Sequence, residues 1–175
     1  ALVIGAGPIG LSTLAFAQQA GAQVIALDLA PGRLDFARQA LGVGHTVRAG
    51  DGALDELLAI TNGDLPTAVF DATGNAASMH NAFRYVASGG RLVFVGLFQG
   101  DITFNDPDFH RRELTIMATR NATGADHDRI IAALEAGAFD PAGWITHRAS
   151  PEATVEQFAG WLHPEASVIK AMVTF

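Results

Sequence analysis

The chain has 175 residues, 49% hydrophobic and 17% charged, a balance that marks a globular protein and excludes a disordered polar chain. Acidic residues outnumber basic ones 18 to 11, giving a net charge of −7 without a basic cluster; this excludes the phosphate-neutralising surface of a nucleic-acid binder and an attraction to acidic membranes. No apolar run reaches the roughly 18 residues that cross a bilayer, and the absence of Cys excludes disulfides and thiolate metal sites, which fits a reducing cytoplasm.

The chain opens inside an apolar run, Ala1-Leu2-Val3-Ile4, without an initiator Met or a signal peptide, and so reads as a piece of a longer protein. Continuous Val/Ile/Leu runs of the kind that fill a buried parallel sheet stand at 2–4, 24–27, 68–70 and 92–95. Helical stretches separate them. The first is expected from Pro8 to Ala20, with Pro suited to the opening turn and Gly21 just past the end. The second opens after Pro31, carries Leu34, Ala37 and Leu41 on one face, and ends near Gly42. Leu54, Leu57 and Leu58 mark a third; Met79, Phe83 and Val86 mark a fourth, stopped by Gly89-Gly90. Such alternation implies right-handed βαβ units and an α/β fold with a parallel sheet. From Asp101 the rhythm changes: 101–104 read as a short strand, 113–119 as a longer one, and Ile130, Ile131 and Leu134 as a further helix. Two domains are expected, 1–140 and a tail at 141–175 that reads strand, helix, strand, with Ser150 as N-cap and Pro151 at the first helical position.

The sharpest chemical signal is Gly5-Ala6-Gly7-Pro8-Ile9-Gly10, a G-x-G-x-x-G that follows a strand and opens a helix. Gly5 permits the tight turn, Gly7 leaves room for a pyrophosphate, and Gly10 lets helix and strand pack closely. The free N–H groups and the positive end of the helix dipole then face the phosphates. The second strand ends in Asp28, eighteen residues beyond Gly10, where a carboxylate accepts from the ribose hydroxyls of an adenosine and repels a 2′-phosphate. NAD is therefore expected over NADP, although Arg33, five residues on, is a cation that could hold a phosphate. Two further strand ends, Asp71-Ala72-Thr73-Gly74 and Val95-Gly96-Leu97-Phe98, lie where open α/β sheets bind ligands; Thr73 offers a hydroxyl, and Gly74 and Gly96 allow close approach to a flat ring. No nucleophilic triad can be assembled, and the six His lack the H-x-x-x-H and H-E-x-x-H spacings of a zinc site.

These residues, with Gly89-Gly90-Arg91 and the closing Ile169-Lys170-Ala171-Met172-Val173, resemble the cofactor half of the zinc-dependent medium-chain alcohol dehydrogenases over nearly the whole chain. The stretches around His110-Arg111-Arg112 and Trp144-Ile145-Thr146-His147-Arg148 are most similar to the polyol, threonine and sugar-acid branch. The resemblance implies a doubly wound Rossmann sheet of six strands in the order 3-2-1-4-5-6. It further implies a hydride exchange between a secondary alcohol and NAD, a polyol, sugar or sugar acid as substrate, and a zinc ion held by a catalytic domain outside this chain, without which the chain turns nothing over. Carried residue by residue, it puts Ile9 near the nicotinamide, Asp28, Leu29 and Arg33 at the adenosine ribose, Ala72, Thr73 and Gly74 along the cofactor, and Val95, Gly96 and Leu97 at the nicotinamide pocket. Lys170 matches a basic position near the pyrophosphate, or else is an exposed lysine on an edge strand. Arg120 matches a substrate-contacting position, or else is a solvated arginine opening a loop. In the family the edge strand at 114–119, which begins at Leu114 and ends at Thr119, pairs with its copy to give a dimer or a tetramer of dimers.

Two other readings stay open: a non-catalytic dinucleotide sensor, and a methyltransferase whose adenosyl cofactor also meets a Gly-rich loop. Gly10 and the tail beyond Asp101 count against the second.

Overall fold

The computed structural model describes residues 1–175, the side chain of Pro164 excepted. Two compact units emerge, Ala1–His127 and Asp128–Phe175.

The first unit is built on six parallel strands: β1 (Leu2–Ile4), β2 (Ile25–Asp28), β3 (His45–Arg48), β4 (Ala68–Asp71), β5 (Arg91–Phe94) and β6 (Thr115–Ala118). They lie in the order β3-β2-β1-β4-β5-β6, a Rossmann arrangement. The connecting helices are α1 (Pro8–Gln19), α2 (Pro31–Leu41), α3 (Ala53–Ile60), α4 (Ala76–Ala82) and α5 (Asp106–Arg111). β1 is central and buried at all three residues, as its unbroken apolar run requires of a strand with neighbours on both edges. Leu2, Val69, Leu92, Leu57 and Val86 are fully buried with it.

Local chemistry sets the element ends. Pro8 and Pro31 open α1 and α2, and Gly42 closes α2 with φ +63° in the left-handed region. The Asn75 side chain caps α4 by accepting from the Ser78 N–H. The expected fourth helix is α for about two turns; it tightens to 3-10 at Phe83–Tyr85 before Val86 turns extended.

One expectation needs correction. Residues 101–104 are not a strand: the edge of β5 they would have paired with is taken by β6, and the Thr103 N–H donates instead to His80 Nε2 at 3.1 Å. Phe104 then stacks on Phe83, with ring centroids 5.2 Å apart. Conversely β3, which no apolar run announced, is a strand; it lies at the sheet edge and buries only Val47 of its four residues.

α6 (Gly124–Glu135) straddles the division between the units. In the second unit β7 (Ile145–Ala149), α7 (Pro151–Trp161) and β8 (Lys170–Val173) form a parallel pair joined through a helix. Ser150 Oγ accepts from the Ala153 N–H at 3.3 Å, the expected cap. No helix among the described residues is long and apolar enough to cross a membrane.

Candidate functional site

The carboxyl ends of β1, β2 and β4 open onto a cleft of about 610 Å³ lined by Gly5, Gly7, Asp28, Leu29, Arg33, Ala72 and Thr73, seven of the residues singled out from the sequence. Leaving β1, the chain is held twice by β2: Gly5 N–H donates to Leu27 O at 2.7 Å, and Ala6 N–H donates to Asp28 Oδ2 at 2.7 Å. Asp28 Oδ1 accepts from Ala30 N–H at 2.8 Å. One buried carboxylate thus pins the glycine loop and the entry to α2 together, and each of its oxygens keeps a lone pair for a ligand.

The glycines of this loop differ in what the fold asks of them. A Cβ on Gly10 would stand 1.6 Å from Gly5 O, so the strand-to-helix crossing itself requires glycine there. Gly5 has φ +92°, and its Cβ would meet Thr73 Cγ2 at 2.9 Å. Gly7 has ordinary extended dihedrals, φ −77° and ψ −174°, and its Cβ would meet only Arg33 Nη1, at 3.6 Å. Nothing in the protein needs glycine at this position. The N–H groups of Gly7, Ile9 and Gly10 find no acceptor among the described residues and sit at the positive end of α1, while Pro8 has no N–H to satisfy.

Beside the cleft, the turns after β4 and β5 touch. A Cβ on Gly96 would stand 2.3 Å from Gly74 N, and one on Gly74, at φ +61°, would stand 2.9 Å from Leu97 O. These glycines let two loops seat on each other. Thr73 Oγ1 donates to Asp71 Oδ1 at 2.6 Å and accepts from Asn75 N–H at 3.1 Å, so its hydroxyl is engaged within the turn. Ile9, Leu29 and Leu97 are apolar yet 55%, 73% and 71% exposed, and Val95 is half-buried. Arg120 is exposed beyond β6; Lys170 is exposed on β8, in the second unit.

Other cleft residues escaped the sequence reading: Gly50, Asp51, Asn75, Ser78, Asn81 and Arg84. Gly50 and Asp51 follow β3, so reading that strand would have marked them. Asp71, at the head of the Asp71-Ala72-Thr73-Gly74 strand end, is the most deeply buried charged residue of the first unit.

A zinc ion finds no home here: among the described residues no three His, Asp or Glu side chains converge, and the sequence has no Cys. A dinucleotide does fit, since free N–H groups, an unexplained Gly7 and an acid at the end of β2 surround one cleft.

The chain is 36% identical over 174 residues to L-galactonate-5-dehydrogenase of Escherichia coli strain K12, covering 99% of this chain and 51% of that protein. It is 30% identical over 174 residues to sorbitol dehydrogenase of Bacillus subtilis strain 168, covering 98% and 49%. Among solved structures, an Escherichia coli oxidoreductase/dehydrogenase of unknown specificity superposes with TM-score 0.90 at 26% identity, covering 99% of this chain and 50% of that one. Alcohol dehydrogenase from Thermus sp. ATN1 superposes with TM-score 0.87 at 25% identity, again over 99% and 50%. The chain spans about half the length of the curated relatives it matches. A sequence model of the family described as zinc-binding dehydrogenase matches residues 8–136, and the chain belongs to that family.

Proposed function

We propose that this chain is the NAD-binding part of a dehydrogenase that exchanges a secondary alcohol for a ketone on a polyol, sugar or sugar acid. The observation that carries the reading is Gly7, a glycine the protein does not need, set between the free N–H groups of α1 and the Asp28 carboxylate. The pyrophosphate would take those N–H groups. The adenosine ribose would donate its hydroxyls to the spare lone pairs of Asp28, with Leu29 and Arg33 beside it. A 2′-phosphate would meet the same carboxylate and be repelled, so NAD is preferred to NADP. Ile9, Val95 and Leu97, with Ala72 and the Thr73-Gly74 and Gly96 turns, would shelter the nicotinamide, whose exposed apolar neighbours lose their contact with water.

When bound, the nicotinamide supplies the hydride acceptor. The chain's own part is to bind, orient and desolvate it. Arg120 would contact a substrate hydroxyl or carboxylate, and Lys170 would neutralise the pyrophosphate. The substrate class follows from the relatives named L-galactonate-5-dehydrogenase and sorbitol dehydrogenase. The zinc in the family's name has no ligand set among the described residues. The exposed edge of β6, carrying Ile116 and Met117, would pair with a second copy.

The test is a titration of the chain with NADH and NADPH, read by NADH fluorescence. NADH binding with NADPH clearly weaker supports the reading. Binding of neither, or of S-adenosylmethionine instead, refutes it.

A further inference from the structure

Asp71 ends β4 beside β1, at the point where the strand order reverses, and its side chain has no exposure to solvent. Oδ1 accepts from Thr73 N–H at 2.9 Å and from Thr73 Oγ1 at 2.6 Å, and Oδ2 accepts from Ser78 Oγ at 2.6 Å. All three donors are neutral, and none of the ion pairs among the described residues includes Asp71. A buried carboxylate without a cationic partner is expensive.

The fold does not require that charge. An Asn at 71 could accept both Thr73 bonds on its carbonyl and donate its amide to Ser78 Oγ, the serine hydroxyl turning to accept. Every hydrogen bond would survive without an ion to bury. What the carboxylate adds is a negative potential, poorly screened because the group is dry. That potential falls on the two turns described above. The Asp71 carboxylate braces the Thr73-Gly74 turn, and the Asp71 backbone carbonyl accepts from Val95 N–H at 2.9 Å and Gly96 N–H at 2.8 Å. On the reading proposed above, the nicotinamide lies against these turns. Its ring carries a positive charge when oxidised and none when reduced.

We propose that the buried Asp71 carboxylate sets the relative affinity of the two cofactor forms, favouring oxidised NAD+ over reduced NADH. Asp71 acts as a positioning residue through the turns and as a fixed charge through space; it touches neither cofactor nor substrate. The inference rests on the cofactor assignment.

The experiment measures Kd for NAD+ and for NADH by calorimetry on the chain and on its Asp71→Asn variant. The ratio Kd(NAD+)/Kd(NADH) is expected to rise about tenfold in the variant, mostly through weaker NAD+ binding. Ser78→Ala keeps the charge and removes one brace, so it should weaken both forms by the same factor. Asp71→Ser, smaller and also neutral, carries the same ratio test if Asp71→Asn does not fold. Equal changes for both forms in the neutral variants, or no change, overturn the charge assignment while leaving the cofactor reading intact. Binding of neither form by the unaltered chain overturns the cofactor reading, and this inference with it.

Discussion

Replacing Gly7 and Gly10 in turn by Ala separates what the ligand requires from what the fold requires. At Gly10 the new methyl would lie 1.6 Å from Gly5 O, less than half a van der Waals contact, and against a backbone atom that cannot rotate away. Helix α1 must back off from β1, and overpacking on that scale costs about 3 kcal/mol or more. For a chain of this size that lowers the melting temperature by roughly 6–12 °C. At Gly7 the methyl meets only a flexible guanidinium at 3.6 Å, and the backbone already suits an L-residue. The small loss of a glycine N-cap and the gain from a stiffer unfolded chain nearly cancel, leaving stability within about 1 kcal/mol of the parent. Against the pyrophosphate, however, the same methyl overpacks by about 1–3 kcal/mol, a roughly 5- to 150-fold rise in the Kd for NADH. Differential scanning fluorimetry and an NADH titration on both variants read the two effects. Normal NADH affinity in Gly7→Ala, or equal thermal losses in the two variants, would refute the reasoning.

Asp28→Ala should both narrow the preference for NADH over NADPH and destabilise the fold, because Ala6 N–H and Ala30 N–H lose their acceptor at about 1–3 kcal/mol for each group left unpaired; urea midpoints and parallel titrations with the two nucleotides check both halves. Hydrogen bonds from Arg112 and then Arg111 hold the Asp108 carboxyl below its ordinary range, so its stabilisation is present above that range and fades as pH falls through the lowered value. Asp108 is partly exposed, so Asp108→Asn should cost no more than about 1 kcal/mol at pH 7, a loss that shrinks as pH falls through the lowered value; a loss independent of pH in urea unfolding would contradict this. Met117→Lys places a charge on a half-exposed position of the β6 edge and should convert a two-fold assembly to a monomer in sedimentation velocity, with a melting temperature that no longer rises with protein concentration. A parent that already sediments as a monomer would end the pairing proposal.

The central sheet is legible because its strands are buried on both faces and so have to be apolar throughout. The runs at Leu2, Val24, Val69 and Leu92 carry that mark. β3 does not, since an edge strand with a single buried residue leaves its other positions free of hydrophobic constraint. The opposite failure occurs at Ile102-Thr103-Phe104, where strand-forming residues lack a strand to pair with; propensity is local and pairing is not. In the site, Gly5, Gly10 and Asp28 are readable because each meets a requirement fixed by local spacing. Gly74 and Gly96 are visible as glycines, but their mutual contact joins residues far apart in sequence and becomes apparent only in three dimensions. The same holds for Asp71: the Asp-x-Thr spacing hints at a turn, whereas its complete burial depends on β1 and β5 on either side of it and on Ser78 of α4.

The two borders of the sheet are unlike. On β3 the exposed residues are His45 and Arg48; on β6 they include Ile116 and Met117. A sheet that was adhesive along both borders could add copies without end and grow into a fibre. Here any pairing through β6 consumes the one adhesive border of each copy and turns the charged β3 borders outward. Assembly through the sheet would therefore close at two copies and leave no adhesive border from which a fibre could grow.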